Sequence, residues 1–302
     1  MSADRQQELT VSVIVPCYNS ERTIRRCLDA LFNQRTSVVF DITVVDSSTD
    51  ATAEIVAREY PTVRLIHSPR RLYAGAARNV GVRATGAPLC LMIDSDCVAA
   101  PDLIEKVVER HRGGGYAAVG GALRNGTPGS LSGLIGYLIE FKEFMPTTPL
   151  RLEKGMPTAN LAYRREALLR HGGFDDDLWM AEDILLNWKL HRAGERLLFD
   201  PAIEVTHLNR TGWREVLFYQ VGLGRMSAEA RRRGGLPGGF LLRRRWLIPL
   251  LPFARTLRAA RWFAAHDKKL LLVFLLIWPL YWLAAAFWAY GFLRGARQEG
   301  RI

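Results

Sequence analysis

Two carboxylates one residue apart, Asp94-Ser95-Asp96, close the apolar run Leu89-Cys90-Leu91-Met92-Ile93. A buried strand that ends in paired negative charge sets like charges where they repel unless a cation lies between them. Hard divalent ions such as Mg2+ and Mn2+ take oxygen ligands of this kind together with substrate phosphates. The alternative for so short a motif is an ordinary acidic turn, and its neighbours have to decide.

The elements that position this pair follow a regular rhythm. Val11-Ser12-Val13-Ile14-Val15 reads as a buried strand, with Asn19 or Ser20 capping a helix to about Asn33. Ile42-Thr43-Val44-Val45 ends at Asp46 and precedes a helix over 51–60, capped by Thr49 or Asp50. A third strand near 63–67 leads to a helix near 72–84, and the 89–93 strand leads to one near 101–112. Such alternation predicts a largely parallel, doubly wound sheet whose ligands gather outside the carboxyl ends of its strands, where Pro16, Asp46 and Asp94 lie. Beyond Gly113-Gly114-Gly115 the pattern weakens. A strand is expected near 117–123, then a mixed segment to about 150. Over 156–207 a strand, helices near 165–171 and 181–193 and short strands ending at His207 are expected, followed by a helix near 213–233.

Four separated motifs resemble, in order, those of the family 2 glycosyltransferases with the GT-A fold, over about residues 10–208. They are Val13-Ile14-Val15-Pro16-Cys17-Tyr18-Asn19; Val44-Val45-Asp46 with Ser48-Thr49-Asp50; Gly75-Ala76-Ala77-Arg78-Asn79-Val80-Gly81 leading into Asp94-Ser95-Asp96; and Gly172-Gly173-Phe174-Asp175 followed by Glu182-Asp183. The resemblance implies a Rossmann-like, doubly wound mixed α/β sheet. It also implies that Pro16, Tyr18 and Asp46 line a nucleotide pocket, where the Tyr18 ring stacks on a base and Asp46 accepts hydrogen bonds from base or ribose. Ser47 stands where the family often has a second acidic residue. Arg78, on a helix of small residues, either grips the diphosphate or base or forms a structural ion pair.

By the same resemblance Asp94 and Asp96 hold Mg2+ or Mn2+ against the diphosphate of a nucleotide-sugar, with the second Asp the more direct ligand. His207, ending Pro201-Ala202-Ile203-Glu204-Val205-Thr206-His207, is a candidate third metal ligand or diphosphate contact. Asp183 is the expected general base that deprotonates the acceptor hydroxyl, placed at a helix start whose Ile184, Leu185 and Trp188 are free to face the core. Glu182, Asp175 and Trp179 are assigned to the acceptor side, the alternatives being orientation of the site for Glu182, a solvated acidic loop for Asp175 and core or lid packing for Trp179. The metal replaces the acid of a glycosidase pair, so a single inverting displacement is expected. A catalytically silent, membrane-anchored nucleotide-sugar-binding adaptor is the alternative. Gln220-Val221-Gly222-Leu223-Gly224-Arg225-Met226 lacks the Gln-x-x-Arg-Trp spacing of polymerising members, which disfavours processive synthesis.

Composition divides the 302 residues unevenly. Residues 1–220 carry a net charge of −1 and residues 221–302 a net charge of +12. The expected division is a catalytic domain over 1–233 and a basic, membrane-associated helical tail over 234–302, beginning at Gly234-Gly235-Leu236-Pro237-Gly238-Gly239. From Leu270 to Leu293 run 24 residues without a formal charge, longer at about 1.5 Å per residue than the roughly 30 Å hydrocarbon layer. A spanning helix is expected, with a kink at Pro279 or an interfacial helical hairpin as alternatives. Arg255, Arg258 and Arg261 form a basic stripe suited to headgroups. Apolar sequence between the arginines favours a membrane and a lipid-linked or other glycan acceptor over nucleic acid. Residues 1–8 are polar with no apolar stretch resembling a secretion signal, and Cys17, Cys27, Cys90 and Cys97 form no Cys-x-x-Cys pair. The catalytic part is therefore expected at the cytoplasmic face of the cell membrane, with reduced thiols.

Overall fold

A computed structural model describes residues 10–298; the polar stretch 1–8 lies outside the described residues. The chain runs β1 (Val11–Cys17), α1 (Ile24–Phe32), β2 (Phe40–Asp46), α2 (Thr52–Glu59), β3 (Arg64–His67), α3 (Ala74–Ala84), β4 (Leu89–Ile93), β5 (Cys97–Ala99), α4 (Leu103–Arg112), β6 (Ala118–Asn125) and α5 (Leu131–Phe141). It continues through β7 (Arg151–Glu153), β8 (Asn160–Arg164), α6 (Arg165–Arg170), α7 (Glu182–Arg192), β9 (Leu197–His207), α8 (Trp213–Gly234), two 3-10 turns, α9 (Leu251–His266) and α10 (Lys268–Arg297).

One mixed sheet has the order β3-β2-β1-β4-β8-β6-β9-β5, with β7 also paired to β9. Parallel pairing of β2, β1 and β4 brings Cys17 and Asp46 into register and puts their carboxyl ends on one edge. β8 runs antiparallel to β4 and pairs Asn160 with Ile93, while β6 runs antiparallel to β8 and parallel to β9. The carboxyl ends of β6 and β9 therefore meet the same edge. β5, antiparallel to β9, pairs Cys97 with His207. A strand three residues long thus carries Asp96 to a histidine more than a hundred positions away.

The expected short strands before His207 are one continuous strand with an irregularity. Gly121 pairs Asp200 but Ala122 pairs Glu204, so the residues around Pro201 bulge out of register with β6. A Cβ on Gly121 would lie 2.0 Å from the Ile203 carbonyl oxygen, which is why glycine stands opposite the bulge. The first helix begins at Ile24, later than expected, because Asn19 is used elsewhere. It adopts a left-handed conformation (φ 53°) and accepts the Thr49 N–H at 2.9 Å, tying the loops after β1 and β2 together.

The tail packs onto the catalytic fold. α8 and α10 approach backbone to backbone: a Cβ on Gly291 would lie 2.0 Å from the Val221 carbonyl oxygen, and one on Gly224 equally near that of Trp288. α10 runs unbroken through Pro279, and Phe274, Tyr281, Trp288 and Phe292 are buried along it. It is the one helix among the described residues long and apolar enough to cross a membrane. Leu272, Val273, Leu275, Leu276 and Trp278, in its first half, are exposed together with Trp246, Phe253 and Leu257. That surface is a candidate membrane anchor.

Candidate active site

A cavity of about 640 Å³ opens at the carboxyl edge of the sheet, and its lining includes Pro16, Tyr18, Arg78, Asp94, Asp96, Trp179, Glu182, Asp183 and His207. Residues from β1, the turn after β4, α7 and the end of β9 share one space. Asp46 and Asp175 are not among the lining residues.

Asp94 and Asp96 have different partners. Asp94 Oδ1 accepts from Arg78 Nη2 at 2.6 Å, and the other terminal nitrogen of Arg78 binds Glu182 Oε1. Arg78 is buried. Burial works against its charge, but Asp94 and Glu182 outweigh it and hold its pKa above the ordinary value. The helix of small residues therefore delivers an internal clamp between the Asp-Ser-Asp turn and α7. Asp96 instead faces His207, whose Nε2 lies 3.5 Å from Asp96 Oδ1. Asn209 sets the histidine tautomer: its amide donates to Asn125 Oδ1 (2.8 Å) and Thr127 Oγ1 (3.1 Å), so its Oδ1 is left to accept from His207 Nδ1–H at 2.9 Å. That arrangement frees the Nε2 lone pair toward Asp96. Oxygen from Asp96, nitrogen from His207 and sulfur from Cys97 all lie within 4.8 Å of one another. Burial pushes the Cys97 thiol well up, leaving the Asp96–His207 pair as the donor set suited to a hard divalent ion.

Across the cavity Ala181 takes a left-handed conformation (φ 66°), unusual for a residue with a Cβ, and turns the chain directly into Glu182 and Asp183. α7 is rotated from the expected orientation. Its buried face is Glu182, Leu186, Asn187 and Leu190, whereas Ile184 is exposed. The Arg78 clamp draws Glu182 inward, and Asn187 is satisfied by the Tyr163 hydroxyl (2.9 Å) and the Met156 carbonyl (2.8 Å). Burial first, and then the Glu182 charge, push the Asp183 carboxyl up to about 7 against the pull of Arg78. A carboxyl poised near neutrality suits proton abstraction from an alcohol.

Beyond the end of β1, Tyr18 is exposed, and the Arg71 guanidinium lies 4.2 Å from its ring centroid. Asp46 is fully buried and committed to its own loop, accepting from Ser48 Oγ (2.5 Å) and pairing with His67 Nδ1 (2.7 Å). Ser47, in the place of a second acid, accepts the Leu72 N–H at 3.1 Å. Asp175 binds Arg233 near the end of α8, and Trp179 rests against Gly222.

Several lining residues escaped the sequence reading: Lys142 and Glu143 after α5, Arg210, Arg231 on α8, Arg255 and Arg258 on α9, and Trp288 on α10. The stripe of three arginines divides, because positions three apart on a helix drift around it. Arg255 and Arg258 line the cavity, while Arg261 stays exposed outside it.

The family model described as Glycosyl transferase family 2 matches residues 12–172, more than half of the chain. A pre-mycofactocin glycosyltransferase of Mycobacterium tuberculosis is 26% identical over 210 residues, covering 68% of this chain and 44% of the relative, so the chain spans less than half of that protein. Glycosyltransferase AglE of Haloferax volcanii is 27% identical over 250 residues, covering 80% and 81% of the two chains. Among solved structures, a mannosyltransferase from Pyrobaculum calidifontis in complex with GDP-Man and Mn2+ superposes with TM-score 0.64 at 22% identity, covering 94% of this chain and 86% of that one. S. aureus TarS in complex with UDP-GlcNAc gives TM-score 0.54 at 20% identity, covering 95% and 90%.

Proposed function

The chain belongs to glycosyltransferase family 2, and on that premise we propose that it moves one sugar from a nucleotide-sugar donor to a hydroxyl-bearing acceptor at a membrane surface, inverting the anomeric carbon. The observation that supports this reading is that Asp96, His207 and Asp183 all line one cavity of about 640 Å³. Mn2+ and sugar nucleotides in the related folds support the choice of donor and ion.

In this reading Tyr18 stacks on the base, Pro16 shapes the pocket floor, and Asp96 and His207 hold Mg2+ or Mn2+. When bound, that ion supplies charge neutralisation for the departing nucleoside diphosphate. Asp183 receives the acceptor hydroxyl proton as the oxygen bonds to the anomeric carbon and the bond from that carbon to the diphosphate breaks. Arg78 positions rather than reacts, since both its terminal nitrogens are occupied by Asp94 and Glu182. Trp179 and Glu182 shape the acceptor side. Asp46 acts through His67 and the loop, and Asp175 acts by tethering Arg233. The apolar surface of α9 and α10 seats the enzyme on the cytoplasmic face of the cell membrane beside a lipid-linked or glycan acceptor.

A screen of UDP-, GDP- and dTDP-sugars with and without Mn2+, read as thermal stabilisation and product formation, tests the assignment. One donor should stabilise the protein in a metal-dependent way, and Asp96→Ala should abolish that dependence. Metal-independent binding of equal strength in wild type and variant would refute it.

A further inference from the structure

The lining of the cavity includes four cations that the transfer step does not use. They are Lys142, Arg231, Arg255 and Arg258, and they come from three places in the chain: the end of α5, α8 and α9. Their partners do not neutralise them. Arg231 is held by carbonyl oxygens of Ser227 (2.8 Å) and Pro237 (3.0 Å). Arg258 and Lys142 share one carboxylate, Glu143, at 2.9 Å and 3.6 Å. Arg255 makes no hydrogen bond or ion pair among the described residues. Its guanidinium lies 4.3 Å from the Trp288 ring centroid, and its buried Nε has no partner. The remaining nearby carboxylate, Glu140, is bound by Gln220 at 2.8 Å.

Electrostatics agrees with the geometry. Burial lowers the pKa values of Lys142, to about 8, Arg231, to about 10, and Arg255. Arg255 depresses Lys142 and Arg231 further, and Arg258 depresses Arg255. Cations this close and this poorly paired lower their energy when an anion enters among them. A guanidinium with free donors suits a tetrahedral phosphate. The surroundings narrow the anion further. Arg258 is largely exposed at the mouth, and on the same helix Phe253 and Leu257 are exposed beside Trp278 and Trp282 of α10, which with them line an apolar groove. A phosphate held at Arg255 therefore sits next to the surface suited to hydrocarbon.

We propose that Arg255, with Arg231, Arg258 and Lys142, forms a subsite for the phosphate of an amphiphilic acceptor, so that the hydroxyl to be glycosylated is presented toward Asp183 while the hydrocarbon stays outside. This rests on the transferase reading for its purpose but not for its chemistry. The test uses the full chain in nonionic micelles with dodecyl phosphate, dodecanol and inorganic phosphate as probes, binding being followed by calorimetry. Dodecyl phosphate should bind, with Kd raised at least tenfold in Arg255→Gln, largely restored in Arg255→Lys, and unaltered in Arg261→Gln. Binding of nucleoside diphosphate with Mn2+ should be the same in all four proteins.

Equal binding of dodecanol, or an unchanged Kd in Arg255→Gln, overturns the subsite. Inorganic phosphate binding as tightly as dodecyl phosphate overturns the amphiphile in favour of a free anion. An equal loss of nucleotide binding in Arg255→Gln reassigns these cations to the donor and overturns the proposal. Arg255-dependent dodecyl phosphate binding in a protein that takes no sugar nucleotide would leave the subsite standing and sink the transferase reading instead.

Discussion

Asp183→Asn is expected to stabilise the protein while disabling it. The carboxyl titrates at about 7 in the folded chain against an ordinary 3.8, chiefly because it is desolvated and faces Glu182. Below the lower value the group is protonated in both states and makes no difference. Between the two, unfolding releases a proton, so the folded state loses about 1.4 kcal/mol per pH unit, reaching a plateau of at most about 4 kcal/mol above pH 7. Asparagine is neutral throughout and retains an oxygen for the Ile184 N–H that Asp183 accepts at 2.7 Å. The variant should gain up to about 4 kcal/mol at pH 8, well under half of that at pH 5 and almost nothing below pH 4. In a chain of this size that is a rise in Tm of several degrees at pH 8, on the order of 2 °C per kcal/mol. Transfer should fall about 10²–10⁴-fold, with donor binding kept, and wild-type kcat/KM should decline tenfold per pH unit below about pH 7. Melting curves at pH 5 and pH 8, in micelles without nucleotide or metal, read the first effect, and a product assay reads the second. A variant that melts lower than wild type at pH 8, gains equally at both pH values, or still transfers sugar would refute the assignment of Asp183.

Two further outcomes follow from the supporting contacts. Asn209→Ala removes the acceptor that fixes the His207 tautomer, and should weaken Mn2+ affinity about 10–100-fold without unfolding the protein, measured by metal titration of nucleotide-dependent stabilisation; unchanged affinity would remove His207 from the donor set. Gly291→Ala forces a methyl group against the Val221 carbonyl and should destabilise the α8–α10 contact by about 1–3 kcal/mol, seen as a lowered Tm and faster proteolysis of the tail, whereas an unchanged Tm would mean that the helices do not meet there.

Much of this was legible in the residues. Buried apolar runs announced β1, β2 and β4, and the carboxylates at or just after the ends of β2 and β4 announced the working edge of the sheet. The elements that escaped carry no local signal. β5 and β7 are three residues each and exist because β9 offers them a partner. α5 is apolar nearly all round, so it shows no 3.6-residue alternation. Side-chain environment was the other blind spot. Asp46 looked like a ligand-facing acid because strand ends usually face ligands, yet Ser48 and His67 take both its oxygens. Arg255 looked like a headgroup residue because of its spacing, yet α9 folds it toward the cavity.

The division of labour within Asp94-Ser95-Asp96 could not be read from spacing at all, since it depends on a guanidinium sixteen residues upstream. Arg78 is buried between two carboxylates, so removing it would leave Asp94 and Glu182 without the cation that holds them together. Asp94 therefore contributes its charge to the protein's own cohesion, locking the turn after β4 to the start of α7. On the proposed function Asp96, which forms no ion pair with an arginine among the described residues and has His207 already oriented beside it, is the carboxylate that meets an incoming cation. On the proposed function, the clamp that draws Glu182 inward also holds Asp183, the next residue, at a fixed place in the cavity that Asp96 lines. The separation between the leaving diphosphate and the attacking hydroxyl is then set by one buried ion triad.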